Sequence, residues 1–391
     1  MIKHYKVKLH VLTPIHIGMG DAYDPTQFVF DEDGNMFVFD TNEYLNALSL
    51  EKSEEFCKMA SDSRNPVKVF RFFKENFKTV RDTISCRQVK ASKDLCDRYN
   101  DICKTGSLSK EQINQFELKR TIYNPIKGVP YIPGSSLKGC LKTIWMSVFN
   151  QTHTKIKNAG NINKLELDIL KGSFNKDPFR MVKVSDLYPV ENKDLFQTEI
   201  KYAVMFPRKT DKEQRGDLTV SLEVIRKGQI FEGVIDLDDG KFIPSSERPE
   251  SRVTLLSLSN KEGKVSVNGL GSCAKNYYWQ REVDGKAQKQ KLQNEFSYLK
   301  SIEASNMAFD MSFKDKLWKT CFPVRLGMHS SAEFITIDDN RNIKISPPQV
   351  KKPVFGKQAT TIWLASSKRK PESPKGLAPF GWAMLEFEEI K

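Results

Sequence analysis

The stretch Tyr131–Lys142 (YIPGSSLKGCLK) joins a helix-start signal to positive charge. Pro133 has no backbone N–H to donate, and Gly134 can adopt dihedral angles that are closed to other residues. Serine is a favoured N-cap residue, so we predict that Ser135 or Ser136 caps the first amides of a helix. The apolar residues that follow recur every three to four positions, as on one buried helix face, at Leu137, Cys140, Leu141, Ile144, Trp145, Val148 and Phe149.

Two lysines follow the helix start, one turn apart. Lys138 and Lys142 stand off the apolar stripe, beside N-terminal amides whose dipole favours an anion, and Gly139 leaves room for a close approach. This arrangement predicts a phosphate-binding helix start. An ordinary capped amphipathic helix with solvated lysines explains the same residues and remains open. A nucleotide P-loop is excluded, because Cys140 and Leu141 occupy the positions where that motif needs Lys and Ser or Thr.

The positive charge of the chain is local. The formal net charge is +13, and two windows without any Asp or Glu, Leu118–Leu165 and Asn340–Pro371, each hold eight basic residues. They contain sixteen of the 62 basic residues and none of the 49 acidic ones, so the rest of the chain is close to neutral. Such segregation indicates a surface for a polyanion. The alternative is that both windows are solvated basic loops.

The cysteines and histidines argue against a disulfide framework and a metal site. The seven cysteines form no Cys-x-x-Cys pair, so we predict reduced thiols. The three N-terminal histidines have no Cys or carboxylate at ligand spacing, and nothing indicates a cofactor. No run approaches eighteen apolar residues, and the first residues lack the apolar block of a secretory signal. We therefore predict a cytoplasmic protein that does not contact a membrane.

Hydrophobic periodicity predicts strands interrupted by helical segments. Residues 43–117 are mostly helical in pattern and form an insertion that parts the first strand from the stretch 131–142. A second helical pattern covers residues 290–319, and residues 152–163 form a polar loop. The predicted strands cover residues 5–12, 179–188, 199–206, 219–225, 229–237 and 382–387, with a hairpin at residues 28–39 around Asp33-Gly34.

Four segments together resemble the RAMP superfamily, the RNA-binding subunits of CRISPR effector complexes. They are Ile132–Gly139, Thr13–Gly18, Val184–Asp186 and a basic, glycine-containing segment that leads into Pro379–Trp382. They occur in the order expected for the family and reach nearly from end to end. The chain length, the Arg325–Gly327 element and the long segment before residue 131 most resemble the type III-A (Csm) subunit that caps the 3′ end of the crRNA.

The resemblance implies an α+β fold. We expect a ferredoxin-like (RRM-like) βαββαβ unit at residues 1–240, with the helical insertion at about 43–117. Residues 241–391 would form a C-terminal RAMP-like region that carries the basic, glycine-containing segment, and this half could contain a second, divergent ferredoxin-like unit.

The resemblance also implies where RNA is held. The turn after the first strand would face the RNA backbone with its amides, and His16 would stack or hydrogen-bond there. The basic C-terminal segment would lie near the helix that is predicted to begin within residues 131–142, which we call the signature helix, and form one groove with it. The RNA-binding residues expected on these grounds are His16, Gly18, Gly134, Ser135, Ser136, Lys138, Gly139, Lys142, Arg325, Lys368, Arg369, Lys370, Gly376 and Gly381.

By this resemblance we expect a non-catalytic RNA-binding subunit of a type III-A ribonucleoprotein. It would bind the 3′ region of the crRNA, cap the backbone filament, and support crRNA maturation and antiviral defence. Its partners would be the crRNA, a neighbouring backbone RAMP subunit, the small helical subunit of the complex, and target RNA near the end of the complex.

Two other functions remain open at this stage. One is a RAMP-type endoribonuclease, because Asp21 and Asp24 occupy roughly the loop in which cutting relatives carry an Asp; no second carboxylate or histidine is spaced to form a site with them. The other is a structural scaffold whose basic windows bind protein. If the phosphate-binding interpretation is right, changing Lys138 and Lys142 together to Ala lowers RNA affinity and leaves the fold intact.

Overall fold

The computed structural model describes residues 2–61, 66–104, 117–159, 162–170, 177–190, 197–207, 218–238, 320–345, 352–374 and 376–390, together with the positions 270, 271, 273, 274 and 277. It mixes helices and sheets throughout, which confirms the α+β prediction.

The helices lie mainly in the first half of the chain. In chain order they are α1 (Thr41–Asn46), α2 (Leu50–Ser61), α3 (Pro66–Val80), α4 (Lys93–Lys104), α5 (Gly134–Phe149) and α6 (Ile162–Leu170). The strands are β1 (Ile2–Val11), β2 (Gly18–Ala22), β3 (Phe28–Phe30), β4 (Asn35–Val38), β5 (Arg87–Lys90), β6 (Leu118–Thr121), β7 (Tyr123–Asn124), β8 (Val129–Pro130), β9 (Val182–Val184), β10 (Tyr188–Pro189), β11 (Thr198–Pro207), β12 (Thr219–Ile225), β13 (Ile230–Asp238), β14 (Cys321–Arg325), β15 (Ile343–Ile345), β16 (Val354–Gly356), β17 (Thr361–Ser366), β18 (Ala378–Pro379) and β19 (Trp382–Ile390).

The first sheet is antiparallel and is built around β1. Its order is β10–β13–β1–β19–β14, with β9 also paired to β13. Alternate residues of β1, namely Tyr5, Val7, Leu9 and Val11, are buried in the same core cluster as the apolar stripe of α5. The connection β1–α5–β9–β13, with β19 on the far side of β1, is consistent with the predicted ferredoxin-like arrangement. The predicted division near residue 240 stays a prediction, although β14 and β19 share this sheet with β1.

The second sheet carries the helical insertion. Its order is β2–β6–β12–β11–β5–β4–β3, and β17 pairs with the second half of β11 and with β18. Side chains of α3 and α4 pack with those of the sheet in one core cluster, which includes Phe70, Tyr99 and Tyr202. The predicted insertion is helical over α1 to α4 but also contributes β5 to this sheet.

Most predicted strands and the hairpin around Asp33-Gly34 are confirmed, and the exceptions share a cause. The predicted strand at residues 179–188 is instead a 3₁₀ turn at Pro178–Met181 followed by the short strands β9 and β10. The predicted polar loop at 152–163 contains a π-helical turn, Asn150–Thr154, and the start of α6. Short irregular elements carry too few residues for periodicity to identify them. The helix predicted at 290–319 lies outside the described residues.

A fully buried carboxylate joins several elements of the second sheet. The Arg87 guanidinium of β5 donates to Glu223 of β12, and the Tyr23 hydroxyl donates to Glu223 Oε2 at 2.7 Å. The backbone N–H of Thr121 in β6 donates to the same oxygen at 3.3 Å. The backbone carbonyl of Glu223 accepts a hydrogen bond from His16 Nδ1 at 2.7 Å. We call this set the Glu223 network.

The ionised form of Glu223 is favoured despite its burial. Burial by itself raises the pKa of Glu223, but the Arg87 guanidinium and the hydrogen bonds from Arg87 and Tyr23 hold that pKa below its ordinary value of 4.5. A carboxyl whose pKa is lowered by folding stabilises the native state. This contribution is complete above the unfolded pKa and is lost as the pH falls through the folded pKa.

We predict that Glu223→Gln destabilises the protein by about 3–5 kcal/mol, because the amide leaves the Arg87 charge buried without a balancing charge. Glu389→Gln is the matched control: it removes the 2.9 Å ion pair with Lys3, in which both side chains are about half exposed, and should cost no more than about 1 kcal/mol. Denaturant unfolding at neutral pH measures both variants. Equal losses in the two variants would show that the buried network is not a major source of stability.

Candidate nucleic-acid interface

The signature helix α5 is capped by a residue that is distant in sequence. Its N-cap is Pro133, and no side chain of the N-cap region satisfies the first amides, so the prediction of a cap by Ser135 or Ser136 is wrong. The Gly134 N–H instead donates to Asp186 Oδ1 at 2.9 Å. Asp186 follows β9, against which the start of α5 lies. A carboxylate of the chain itself therefore occupies the place where an anion would meet the first amide of the helix.

The two glycines of the signature have different environments. A Cβ on Gly134 would lie 2.3 Å from the carbonyl oxygen of Val184 and 2.7 Å from that of Ser185, so only glycine fits where α5 meets β9. A Cβ on Gly139 would meet nothing within 4 Å. Gly134 is thus required by packing, whereas Gly139 is an exposed position on the helix.

The two signature lysines also differ. Lys142 Nζ donates to Asp177 Oδ2 at 2.6 Å and forms an ion pair with Glu166. Burial opposes the charge of Lys142, but these two hydrogen bonds raise its pKa. Lys138 makes no ion pair with the residues that the structure describes, and burial lowers its pKa. Lys142 therefore anchors α5, and Lys138 is the lysine that stays available for a phosphate.

We predict opposite stability changes for the two glycine-to-alanine substitutions. Gly134→Ala should cost about 1–3 kcal/mol, since the new methyl group forces α5 away from β9. Gly139→Ala should stabilise the protein by up to about 1 kcal/mol, because alanine is the better helix former at an open position. Thermal unfolding of both variants measures the difference. A Gly134→Ala variant as stable as Gly139→Ala would rule out the close contact.

The lysines provide a second test, which corrects the expectation that both can be removed without consequence for the fold. Lys142→Ala should destabilise the protein by about 1.5–3 kcal/mol, because Asp177 loses a charge-assisted hydrogen bond in a largely buried place. Lys138→Ala should change stability by less than about 0.5 kcal/mol. Denaturant midpoints of the two single variants are the measurement. If Lys142→Ala leaves the midpoint unchanged, the expectation that both lysines can be removed with the fold intact is right after all.

Three of the family-like segments meet at one junction between the sheets. The Gly381 N–H donates to the Pro14 carbonyl at 2.9 Å, and the Gly381 carbonyl accepts from the Leu326 N–H at 2.8 Å. The Met328 N–H donates to the His16 carbonyl at 2.8 Å. Gly381 has a φ of +93°, and a Cβ there would lie 2.3 Å from the Leu326 oxygen. Gly381 is therefore needed for the close approach of backbones, whatever its relation to RNA.

Two residues expected at the RNA surface lie inside this junction. His16 is fully buried, and burial lowers its pKa, so its ring does not face solvent. Arg325 is also buried: its Nε donates to the Phe380 carbonyl at 3.0 Å, and its guanidinium lies 5.0 Å from the centre of the Trp382 ring. Neither side chain is exposed in this structure, and their expected contacts with RNA stay a prediction. Both side chains hold elements of the junction together through hydrogen bonds to backbone carbonyls.

A groove of about 470 Å³ opens at the surface of the junction. Its walls include Gly18, Gly327, Met328, His329, Ser331 and Trp363. The His329 ring lies 4.6 Å from the ring of Trp363, and burial lowers the pKa of His329 to about 4, so the imidazole is neutral at physiological pH. The groove therefore offers a half-buried aromatic ring beside the glycine-bearing loop that follows β1.

The two basic windows meet on the second sheet, beside this groove. Lys201 of β11 lies opposite Leu222 of β12, which in turn is the register partner of Lys119 in β6. On the other edge of β11, Lys201 Nζ donates to the Ser367 hydroxyl at 2.8 Å. Directly opposite residues share a face of a sheet, so Lys119 of the first window lies on the same face as the end of the second window.

The turn that carries the predicted Lys368, Arg369 and Lys370 follows β17 and lies against β12, where the Thr219 hydroxyl donates to the Arg369 carbonyl at 3.4 Å. We call Lys119, Lys201, Trp363 and this turn the basic face. Gly376 lies in the return from β17 to β18, exposed and with a φ of +80°. Because α5 packs on the first sheet, the predicted single groove with α5 would have to span both sheets, and it stays a prediction.

The candidate catalytic aspartates serve local turns. Asp24 Oδ1 accepts from the N–H and the hydroxyl of Thr26, and Asp21 Oδ1 accepts from the Ala22 N–H. Within the described ranges, no three His, Cys, Asp or Glu side chains are grouped so that they could hold a metal ion. Among the helices in those ranges, none is both long and apolar enough to cross a membrane.

The family model of the RAMP superfamily matches residues 8–261. The chain therefore belongs to the RAMP superfamily, as the resemblance predicted.

More particular similarities point to one branch of the family. The Csm5 protein of Streptococcus thermophilus is 26% identical over an alignment of 202 residues, which covers 49% of this chain and 53% of that protein. The chain thus spans about half the length of this curated relative. Among solved structures, a chain of a type III-A Csm–crRNA–target RNA ternary complex has a TM-score of 0.58 at 16% identity, covering 98% of this chain and 100% of that one. Csm5 of T. onnurineus has a TM-score of 0.53 at 16% identity, with 96% and 99% covered. These two structures share the fold.

Proposed function

We propose that this chain is a non-catalytic subunit of a type III-A Csm ribonucleoprotein. It binds the 3′ region of the crRNA, caps the backbone filament, and supports crRNA maturation and antiviral defence in the cytoplasm. The similarity to Csm5 and the shared fold with a chain of a Csm–crRNA–target RNA complex support this assignment.

The observation that carries RNA binding is the basic face. Two acid-free windows that are distant in sequence contribute Lys119 and the Lys368–Lys370 turn to one side of the second sheet. Trp363, which belongs to the basic face, lines a groove together with Gly18. Lysines supply sequence-independent phosphate contacts, and an aromatic ring on a sheet supplies a stacking platform for an unpaired base. Single-stranded RNA needs both features, whereas a solvated basic loop needs neither.

The signature helix is a second RNA contact in this proposal. Ser135 and Gly139 are exposed on its first turns, and Ser136 and Lys138 are half-buried beside them. Because Asp186 already occupies the first amide, a phosphate would meet Lys138 and the serine hydroxyls rather than the end of the helix. Lys142 contributes indirectly, by holding α5 to Asp177.

The remaining partners follow from the same assignment. A neighbouring backbone RAMP subunit would contact the chain along the filament, and target RNA would pass near the capped end. The exposed side of helices α2 to α4 offers a mixed-charge surface to the small helical subunit. No cofactor is needed for these roles.

Salt-dependent binding of a single-stranded RNA oligonucleotide tests the proposal. We expect the wild-type chain to bind with little base preference and with affinity that falls steeply as salt rises. Changing Lys119, Lys368 and Lys370 together to Gln should lower the log–log slope by about 2, since each phosphate contact on a single strand contributes about 0.7.

The matched control changes Lys78, Lys93 and Lys104 to Gln. These lysines are exposed on α3 and α4 of the helical insertion, helices that pack against the opposite face of the second sheet from Leu222, and their removal lowers the net charge equally. The control should keep the slope of the wild-type chain. If the two triple variants have the same slope, the net charge of the chain and not the basic face determines RNA binding. If the wild-type chain binds no RNA at low salt, the proposed function is wrong.

A further inference from the structure

A second cavity lies away from the basic face, between the second sheet and the hairpin formed by β7 and β8. This cleft has a volume of about 940 Å³. Its walls include Tyr23, Arg87, Gln88, Arg120, Tyr123 and Gln197. Its size is that of a pocket for a small organic ligand. The lining differs from that of a hydrophobic docking groove, since it includes amide and guanidinium side chains beside aromatic rings.

The floor of the cleft is fixed by the Glu223 network. Arg87 and Tyr23 both bind Glu223, so the charge of Arg87 is balanced and both side chains are held in place. The guanidinium of Arg87 covers one face of the Tyr123 ring, with 4.4 Å between its central carbon and the ring centre. The Tyr123 ring is thereby positioned as a rigid wall.

Arg120 is the charge in the cleft that lacks a comparable partner. Its guanidinium lies over the Tyr23 ring at 4.8 Å, and its Nε is buried without a hydrogen-bond partner among the described residues. Its ion pair is with Asp21, which is 3.5 Å away and 58% exposed. An ion pair of that kind is weak. The site therefore presents an oriented cation with an unused buried donor.

The other end of the cleft carries carboxylates that are already engaged. Asp40 accepts from the amides of Asn42 and Glu43 at the start of α1, and Glu43 accepts from the Ser85 N–H. These negative charges place any bound anion at the Arg120 end. Between the two ends, the side-chain amides of Gln88 and Gln197 make no hydrogen bond within the described part of the chain, so both can donate and accept.

We propose that this cleft binds a single nucleotide, supplied by an unstacked base of the bound RNA, with its phosphate at Arg120 and its base along Tyr123 facing the two glutamine amides. Bases of single-stranded RNA are recognised in this way, by stacking on rings or guanidinium planes and by hydrogen bonds to their edges. The inference rests on the proposed function for the source of the nucleotide. It adds a base-reading site to a chain whose basic face contacts the RNA backbone.

Binding of the four ribonucleoside 5′-monophosphates to the full chain, each titrated alone by calorimetry, tests the cleft. At least one of them should bind the wild-type chain, and Arg120→Gln should weaken that binding about tenfold or more, the loss of one charge-assisted contact. Gln197→Ala should weaken it as well without touching the Glu223 network. Lys93→Gln, the loss of an exposed lysine outside the cleft, should leave it unchanged.

Three controls separate the possible failures. A melting curve checks each variant, and if Arg120→Gln does not fold, Gln197→Ala decides the outcome. The triple variant of Lys119, Lys368 and Lys370 should still bind the mononucleotide, because those lysines lie outside the cleft lining. If the wild-type chain binds no monophosphate, or if both cleft variants bind as tightly as the wild type, the cleft is not a nucleotide site. That result would not contradict the proposed RNA-binding function, which the salt titration tests separately.

RNA itself provides the last arm of the experiment. In a competition with single-stranded RNA, the oligonucleotide should displace the bound monophosphate from the wild-type chain. A monophosphate that binds at Arg120 and is not displaced by saturating RNA would show that the cleft takes a free nucleotide, which would overturn its assignment to the RNA path.

Discussion

The buried charge of Glu223 constrains the architecture of the second sheet more than any single apolar contact described above. A carboxylate without solvent must be balanced in place, so the guanidinium of β5, the amide of β6 and the tyrosine that follows β2 are all held at fixed positions around it. The same residue uses its backbone carbonyl to hold His16. One residue thus links the floor of the proposed nucleotide cleft, through its side chain, with the loop beside the basic face, through its backbone carbonyl.

What could be predicted from the sequence was what local periodicity determines. The alternation in β1 and the three-to-four spacing in α5 place the correct side chains in one core, because both patterns depend only on neighbours along the chain. The roles of the polar residues in these segments depended on distant partners. Asp186, and not a serine, accepts a hydrogen bond from the first amide of α5, and Asp177 accepts one from Lys142. The backbone carbonyl of Glu223 accepts a hydrogen bond from the buried His16. No spacing rule within residues 13–18 or 131–142 indicates those partners.

The charge pattern shows the same limit in another way. The two acid-free windows were evident from composition, but their meeting place depends on strand order. The first window enters the second sheet as β6, and the second window includes β17 and the turn that follows it. The order β6–β12–β11, with β17 on the far edge of β11, brings Lys119 onto one face with that turn. From the sequence, the glycines and lysines of the signature helix predicted a contact with RNA phosphate. In the fold, part of that helix is used to hold the protein together.

The pairing of β1 with β19 has a consequence for how the polypeptide is made. Residue His4 lies opposite Ile390, and the Leu12 amide is bonded to the Trp382 carbonyl, so the central strand of the first sheet needs β19, which is far away in sequence, as its neighbour. Ribosomes add about 5–20 residues per second, which leaves one edge of β1 unpaired for tens of seconds after it emerges. Contacts of such high sequence separation fold slowly. An open edge of alternating valine and leucine is also a template for pairing with another nascent chain, which makes assembly on the ribosome the stage at which this protein is most exposed to aggregation.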